Sequence, residues 1–311
     1  MRAYSDGGET MKKKKKLTVT DVIFNIFNYG FFGLFTLLCF LPFYYLFINT
    51  ISDNDLVARG LIIWLPKGIH FSNYLEVLKI NGLGRAAVVT LARTVIGTAC
   101  STIGTSFLGY ALTRKELWLR KVWYRFVVIT MYFNAGIIPW FITMKNLHLT
   151  NSFLAYILPG IVSPFSLMLF KTYCESIPDS MEESAELDGA GYLTRYTRII
   201  MPLCKPILAT LIIFSAVGNW NAFQDTLFLV TDRKLFTLQF VLYQYLNQAS
   251  ALADTLMNMA ASGALIDVSK ILTPTSIKMT VSMVVVIPIL CVYPFFQKYF
   301  VGGIMIGAVK G

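Results

Sequence analysis

Long apolar segments alternate with short polar ones along most of this chain. Crossing a bilayer takes about 20 mostly apolar residues in a helix, and six segments reach that length. They are residues 24–48, 87–112, 122–144, 153–173, 207–230 and 277–300. The pattern predicts an all-α polytopic membrane protein whose six transmembrane helices form one domain, residues 22–300.

The composition agrees with this class. Of 311 residues, 56% are hydrophobic and only 14% are charged, whereas a soluble protein of this length needs more charge to cover its surface. The net charge of +10 could indicate nucleic-acid binding, but the basic residues lie beside the apolar segments, which favours membrane topology. Five cysteines and two histidines show no metal-ligand spacing, so we predict neither a metal site nor a disulfide framework.

Basic residues mark alternate loops of the predicted bundle. Three clusters follow the second, fourth and sixth apolar segments: Arg114, Lys115, Arg120, Lys121 and Arg125; Lys171, Arg195, Arg198 and Lys205; Lys298 and Lys310. The loops 52–85 and 232–275 are balanced in charge. The positive-inside rule therefore places the basic loops and both termini in the cytoplasm. Residues 1–21 then form a basic N-terminal tail, residues 232–275 an external loop, and residues 301–311 a C-terminal tail.

Several apolar segments carry polar residues. Arg93 lies near the outer end of the second, from where its side chain can snorkel to the interface, and Asn134 and Gly136 interrupt the third. The fifth contains a polar and aromatic cluster of Asn219, Trp220, Asn221, Phe223, Gln224 and Asp225. Polar groups at membrane depth usually face a bundle interior or an aqueous path. Two interpretations remain: interhelical hydrogen bonding with Trp220 as an interfacial anchor, or a hydrophilic path, including Asn134, in which an aromatic ring stacks on a sugar.

A polar stretch, residues 176–206, separates the fourth and fifth segments, and we call it the elbow. Ser176 and Asp179 have capping-box spacing, so a helix should begin near residue 177. Gly189 should end that helix, and a second short helix should stop before Pro202. A compact helix–turn–helix between two spans suits docking to another protein, and an amphipathic interfacial linker is the alternative.

The elbow resembles the EAA motif of ABC importer permeases, which reads EAA, three residues, G, nine residues, I-x-L-P. The matching residues are Glu183, Ser184, Ala185, Gly189, Ile199, Met201 and Pro202. Ser184 replaces an alanine and Met201 a leucine, while every spacing holds. The extension 187–190 looks like the carbohydrate-importer version. The C-terminal 293–300 and 307–311 are similar to the ending of maltose-type inner-membrane permeases, most of all the LplC- or YtcP-like branch for complex oligosaccharides.

The resemblance implies a type I ABC importer permease whose elbow is a coupling helix seated in a cytoplasmic ATPase. Closure of the ATPase dimer would drive alternating access. Glu183 would make the polar contact, Ala185 would be the small docking residue, Gly189 would form the turn, and the tail 302–311 would reach into the ATPase dimer. The residues assigned to coupling are Glu182, Glu183, Ser184, Ala185, Asp188, Gly189, Ala190 and Arg195.

The resemblance also implies partners in the membrane of a bacterium. They are a second homologous permease, two ATPase subunits that hold the ATP and Mg, an extracellular or periplasmic sugar-binding protein, and an oligosaccharide substrate. The chain lacks a GxxxxGK[ST] phosphate loop, so we expect no ATP hydrolysis and no cofactor of its own. An ion-coupled secondary transporter is the main rival, although no internal repeat is evident. A membrane enzyme is the third class, and the sequence shows no nucleophile–base set for one.

Overall fold

The computed structural model describes residues 18–248, 276–291 and Pro294, and within these ranges it is helical and contains no strand. The helices are α1 Val19–Thr50, α2 Asn54–Ala58, α3 Ser72–Leu78, α4 Leu83–Ala111, α5 Arg120–Tyr132, α6 Ile137–Asn146, α7 Pro164–Cys174, α8 Ser180–Leu187, α9 Tyr192–Arg195, α10 Met201–Leu203, α11 Lys205–Asn221 and α12 Gln224–Leu229. Residues 238–248 form α13 and Ser276–Cys291 form α14. The 3₁₀ turns Phe153–Tyr156, Leu158–Gly160 and Arg233–Leu235, and the π turn Tyr196–Ile200, complete the described elements.

Two described helices, α1 and α4, are each long and apolar enough to cross a membrane alone. Three further candidates are bent pairs: α5 with α6 at 120°, the turns Phe153–Gly160 with α7 at 42°, and Tyr192–Leu203 with α11 at 85°. The described residues thus hold two to five spans. The count of six spans stays a prediction. Of the sixth segment, the structure describes residues 277–291 and Pro294, and the rest lies outside the described residues. The tails 1–17 and 301–311, and the loop from residue 249 to 275, also lie outside them.

The third predicted segment is not one straight helix. Its two halves, α5 and α6, are separated by Phe133, which is extended, and by Gly136, which has φ +86°. The side-chain Oδ1 of Asn134 accepts a hydrogen bond from the Gly136 amide at 2.9 Å. This local bond competes with the helical ladder, which explains why the polar pair breaks the segment.

Helix α4 is the centre of the bundle and packs against α7 and α11. Its buried face is lined by small hydroxyl residues: Thr90, Thr98, Ser101, Thr102, Thr105 and Ser106. At Gly104, an added Cβ would lie 2.7 Å from Ile161 Cγ2 and 2.8 Å from the Ile161 carbonyl oxygen. Small residues let the backbones approach closely, as is common between membrane helices.

Apolar clusters form at the two ends of α4. At its C-terminal end, Tyr110 packs with residues of α7 and of the elbow, including Phe170, Tyr196 and Cys204. At its N-terminal end, Leu83 packs with residues of α11, α13 and α14. Helix α1 stands apart, because only its last three residues are buried. Its exposed apolar surface suits contact with lipid.

The elbow differs in two details from the expectation. The first helix, α8, begins at Ser180 rather than near residue 177, because Ser176 donates its hydroxyl to the Tyr173 carbonyl (2.6 Å) and caps nothing. The second runs from Tyr192 to Leu203 with a π turn and does not stop before Pro202. Pro202 follows the π turn closely, as the second residue of α10.

Candidate functional site: the elbow and a polar cleft

The elbow is joined to α4 by a buried ionic network around Glu182. The Glu182 carboxylate pairs with Arg114 and accepts a hydrogen bond from the Tyr110 hydroxyl at 3.2 Å. The Arg114 guanidinium lies 4.6 Å from the centre of the Tyr110 ring. Glu182 is only 7% exposed. The sequence assigned it to ATPase coupling, and the structure directs its side chain into the protein, against Tyr110 and Arg114.

The Arg195 side chain also makes its contacts within the elbow. Its Nη1 donates to Glu186 Oε2 at 2.7 Å, and its guanidinium lies 4.4 Å from the centre of the Tyr192 ring. The arginine is 5% exposed, so it ties the two elbow helices together and does not present a cation at the surface. Tyr196 adds a second tie, because its hydroxyl lies 2.8 Å from Ser106 Oγ of α4.

The remaining coupling residues form an outward face. Glu183, Ser184, Asp188 and Gly189 are exposed, and Ala185 and Ala190 are partly exposed. Large apolar side chains surround them: Leu187 is 89% exposed and Leu193 is 67% exposed. Free leucines beside small and acidic residues are typical of a protein-binding surface. Of the motif's end, Ile199 and Met201 are partly buried and Pro202 is exposed.

Gly189 closes α8 in a conformation that favours glycine. Its φ is +80°, which costs a residue with a Cβ about 1 kcal/mol or more. Its amide donates to the Glu186 carbonyl (2.9 Å), and the Ala190 amide donates to the Ala185 carbonyl (2.9 Å). These two bonds make a Schellman cap, which satisfies the last carbonyls of the helix. The glycine that follows the EAA triplet after three intervening residues is therefore explained by helix termination.

The basic loops after the second and fourth segments lie at one end of the molecule. Arg114 pairs with Glu182, Arg120 Nη2 lies 3.4 Å from Glu175 Oε1, and Lys115 Nζ lies 3.8 Å from Asp179 Oδ2. These contacts place residues 114–120, which connect α4 to α5, beside the elbow, as alternating topology requires. The orientation of this end toward the cytoplasm stays a prediction.

A cleft of about 590 Å³ opens where two broken helices meet, and we call it the polar cleft after its Asn, Gln and Asp side chains, although most of its surface is apolar. One break separates α5 from α6, and the other separates α11 from α12 at Ala222, which is extended. The cleft is lined by Asn134, Gly136, Ile137, Trp140, Gly218, Asn221, Ala222, Phe223, Gln224 and Asp225. Irregular backbone at membrane depth is tolerated where it lines such a cavity. Among the described residues, no three His, Cys, Asp or Glu side chains come together to hold a metal ion.

The structure separates the predicted path residues into two groups. Asn134, Asn221, Phe223, Gln224 and Asp225 line the cleft, whereas Asn219 and Trp220 do not. The Trp220 indole is buried in the cluster at the N-terminal end of α4, and its Nε1 donates to the Val285 carbonyl at 3.1 Å. Trp220 is therefore a packing residue. The amide of Asn219 donates to the Ser215 carbonyl at 2.9 Å and lies against Gly97.

The Arg93 side chain does not extend to the protein surface, contrary to the expected snorkelling. It is 3% exposed, and its two Nη atoms pair with the Asp225 carboxylate. Its Nη1 also donates to the Ala222 carbonyl at 3.1 Å, and the guanidinium lies 4.6 Å from the centre of the Tyr156 ring. A buried cation must find a counter-charge, and the break after α11 supplies both a carboxylate and a free carbonyl. Arg93 thus fixes the wall of the cleft.

Three residues of the cleft and the elbow were not predicted from the sequence to have these roles. Trp140 lines the cleft from α6, four residues beyond the Gly136 break, and its position there depends on the 120° bend. Tyr110 and Arg114 anchor the elbow although neither belongs to the motif. Arg114 was visible only as part of a basic cluster, and its partner could not be read from that pattern.

Broken helices around a polar cleft, with an exposed elbow at one end, define a membrane transport subunit. A family described as "Binding-protein-dependent transport system inner membrane component" matches residues 101–306, and the chain belongs to this family. Its members are permease subunits of ABC transporters, which are transport components and not enzymes. The assignment confirms the resemblance noted from the elbow and the type I permease fold. It also excludes the rival hypothesis that the chain is an ion-coupled secondary transporter.

Individual relatives extend over nearly the whole chain. The polygalacturonan/rhamnogalacturonan transport system permease protein YtcP of Bacillus subtilis (strain 168) is 33% identical over 289 residues, which cover 93% of this chain and 99% of the relative. Protein LplC of the same organism is 32% identical over 292 residues, 93% of this chain and 95% of the relative. A chain in the crystal structure of a bacterial ABC transporter involved in the import of the acidic polysaccharide alginate matches with a TM-score of 0.78 and 29% identity, covering 91% of this chain and 98% of that one.

Proposed function

We propose that this permease subunit carries a carbohydrate, specifically an oligosaccharide, and that it is driven by a cytoplasmic ATPase docked on the elbow. One observation carries the coupling proposal: Glu183, Ser184 and Asp188 are exposed on an elbow that is itself locked to α4 by Glu182. The outward residues are free to bind a partner, and the inward residue connects that partner to the bundle. The Schellman cap at Gly189 fixes the angle between the two elbow helices.

The contacts give a continuous route from the elbow to the cleft. A push on α8 reaches the C-terminal end of α4 through the hydrogen bond between Tyr110 and Glu182, and through the Glu182–Arg114 pair just beyond that end. Helix α4 carries Arg93, which holds the Ala222 carbonyl and the Asp225 carboxylate at the cleft wall. Displacing α4 therefore displaces the break between α11 and α12. This is the physical connection that alternating access requires between an ATPase and a substrate path.

The chemistry of the cleft suits a sugar. The amides of Asn134, Asn221 and Gln224 can hydrogen-bond hydroxyl groups, and Trp140 offers an indole face for stacking on a pyranose ring. Asp225 contributes little net charge because Arg93 neutralises it. Phe223 is less available, since its ring is stacked on Tyr243 with centroids 4.9 Å apart. The carbohydrate named in the descriptions of two similar proteins supports the same substrate class.

The proposal includes the remaining partners. A second homologous permease completes the pore, two ATPase subunits bind the ATP and Mg, and an external binding protein delivers the oligosaccharide. The basic loops beside the elbow support a cytoplasmic position for that end and for both termini. The external loop 232–275 is a plausible contact for the binding protein, and the tail 302–311 is expected to reach the ATPase dimer. Residues 249–275 and 302–311 lie outside the described residues.

Docking is tested by co-purification of the ATPase with Glu183→Lys permease. We expect the variant to insert normally and to lose the ATPase, because a cation replaces the proposed polar contact. Glu76→Lys is the matched control, since Glu76 is an exposed acid of α3. Wild-type yield of ATPase with Glu183→Lys would remove the elbow from the interface.

Transport is tested in vesicles that hold the complete importer. Vanadate should abolish uptake of the sugar, and an uncoupler should leave it intact. Asn221→Leu should raise the KM for transport about tenfold, because an unpaired substrate hydroxyl costs on the order of 1–3 kcal/mol. Unchanged kinetics in that variant would exclude the cleft from the path, whereas loss of uptake with the uncoupler alone would contradict ATP coupling.

A further inference from the structure

A second cavity, of about 680 Å³, lies between the start of α5 and the end of α7. Five cations line it, together with Leu119, Val122 and Tyr124: Lys115, Arg120, Lys121, Arg125 and Lys171. Neither the elbow motif nor the polar cleft includes any of these residues. We call this cavity the basic pocket.

The acidic residues near the basic pocket neutralise only part of its charge. Glu175 pairs with Lys171 at 2.7 Å and with Arg120 at 3.4 Å, and Asp179 lies 3.8 Å from Lys115. Within residues 18–248 and 276–291, no carboxylate lies within ion-pair distance of Lys121 or Arg125. Two carboxylates therefore face five cations, which leaves the basic pocket with a net positive charge.

The two unpaired cations lie on the same face of one helix. Lys121 and Arg125 are four residues apart in α5, a spacing at which like charges repel and destabilise the helix. At the base of the pocket, Lys171 is 8% exposed and its Nζ lies 4.8 Å from the centre of the Tyr124 ring. A phosphate group bound between these side chains would remove the repulsion and satisfy the donors of both exposed cations.

The surroundings of the pocket identify the source of that anion. No residue of α5 is buried, and the apolar Val122, Phe126 and Ile129 are all more than half exposed. Trp118 and Trp123 lie at the same end of the helix and are 76% and 49% exposed. Cations and tryptophans followed by an apolar helix face are typical of the headgroup level of a bilayer. A free phosphate or an acidic protein segment would not require the apolar face.

We propose that the basic pocket binds the phosphodiester headgroup of an anionic phospholipid in the cytoplasmic leaflet, with the acyl chains lying along α5. The inference rests on the proposed orientation of the basic loops. The lipid lies beside Glu175 and Asp179, at the point where α7 enters the elbow. It thereby stabilises the segment that holds the elbow against α4.

The test is native mass spectrometry of the complete importer, purified in mild detergent and exchanged into an equal mixture of phosphatidylglycerol and phosphatidylcholine. The wild-type complex should retain phosphatidylglycerol selectively. Lys121→Gln with Arg125→Gln should weaken retention about 30-fold, since each cation near an anionic lipid contributes about 1 kcal/mol. The charge-conserving Lys121→Arg with Arg125→Lys should retain it.

The matched control removes two cations from the opposite end of the molecule. Arg233→Gln with Lys234→Gln changes the net charge equally at an exposed turn and should leave retention unchanged. Equal loss in both double variants would overturn the proposal, because it would show a general charge effect. Loss of the ATPase rather than of lipid in the α5 variant would also overturn it, in favour of a protein interface.

Further measurements distinguish failure of the lipid site from failure of ATPase docking and from a wrong membrane orientation. If the double variant does not assemble, each single variant should retain phosphatidylglycerol about fivefold more weakly than the wild type. Wild-type retention in both single variants would refute the site. Lipid retention needs neither sugar nor nucleotide, so failure here leaves the Glu183 docking experiment unaffected. Labelling of a cysteine placed at Lys115 in sealed vesicles reports the orientation, and labelling from the outside would refute the assignment to the cytoplasmic leaflet.

Discussion

Replacing Glu182 by alanine should detach the elbow from α4 without altering the surface that binds the ATPase. The change removes an acceptor that serves both Arg114 and the Tyr110 hydroxyl. A hydrogen bond to a charged group contributes about 1.5–3 kcal/mol. The Arg114 side chain is 23% exposed and also donates to Thr113 Oγ1 at 3.0–3.1 Å. Water can therefore replace part of the interaction that Arg114 loses with Glu182. We expect about 2–4 kcal/mol of destabilisation in total.

Stability and coupling should change together in this variant. Thermal unfolding of the purified importer should occur at a lower temperature. Sugar transported per ATP hydrolysed should fall, because the elbow moves without carrying α4. Glu182→Gln should show about half the destabilisation, since the amide can still accept from Tyr110. A double-mutant cycle with Arg114→Ala should give a coupling energy above about 1 kcal/mol.

Glu183→Ala provides the contrast at the next residue. Its side chain is exposed, so thermal stability of the permease should stay within about 0.5 kcal/mol of wild type, while ATPase co-purification should decrease. The opposite pattern would refute the reasoning. If Glu182→Ala leaves stability unchanged and releases the ATPase, Glu182 faces the partner and not α4.

Other variants test the packing that supports both sites. Asp225→Asn should cost about 3–5 kcal/mol in thermal or denaturant unfolding, because it leaves a buried arginine without its counter-charge; a change below 1 kcal/mol would show that the arginine is solvated. Gly104→Val should destabilise the bundle by about 1–3 kcal/mol, since its Cβ would overlap the Ile161 backbone, and normal stability would disprove the close helix contact. Gly189→Ala should lower the stimulation of the partner ATPase and reduce the free energy of unfolding by about 1–2 kcal/mol. Gly191→Ala should change neither quantity much, because Gly191 has φ −69° and open space around it.

The sequence was sufficient to predict the class and the elbow because both depend on local order. Apolar length and low charge require a membrane environment whatever the tertiary contacts are. The spacing from Glu183 to Gly189 reflects the length of one short helix and its glycine cap, which neighbouring residues determine among themselves. The interruption at Asn134 could be predicted for the same reason, since a side chain that bonds its own backbone interrupts a helix locally. The break after Asn221 was not predicted, because residues 207–230 were expected to form one continuous span.

Tertiary structure decided which polar residues face one another. Arg93 and Asp225 are 132 positions apart, and Arg114 and Glu182 are 68 apart, so no periodicity could pair them. Trp220 and Trp140 illustrate the same limit: the first was predicted for the path and is buried in a core, while the second lines the cleft because α6 turns back by 120°. Burial and pairing depend on how helices pack against each other, and the order of residues along a single helix does not contain that information.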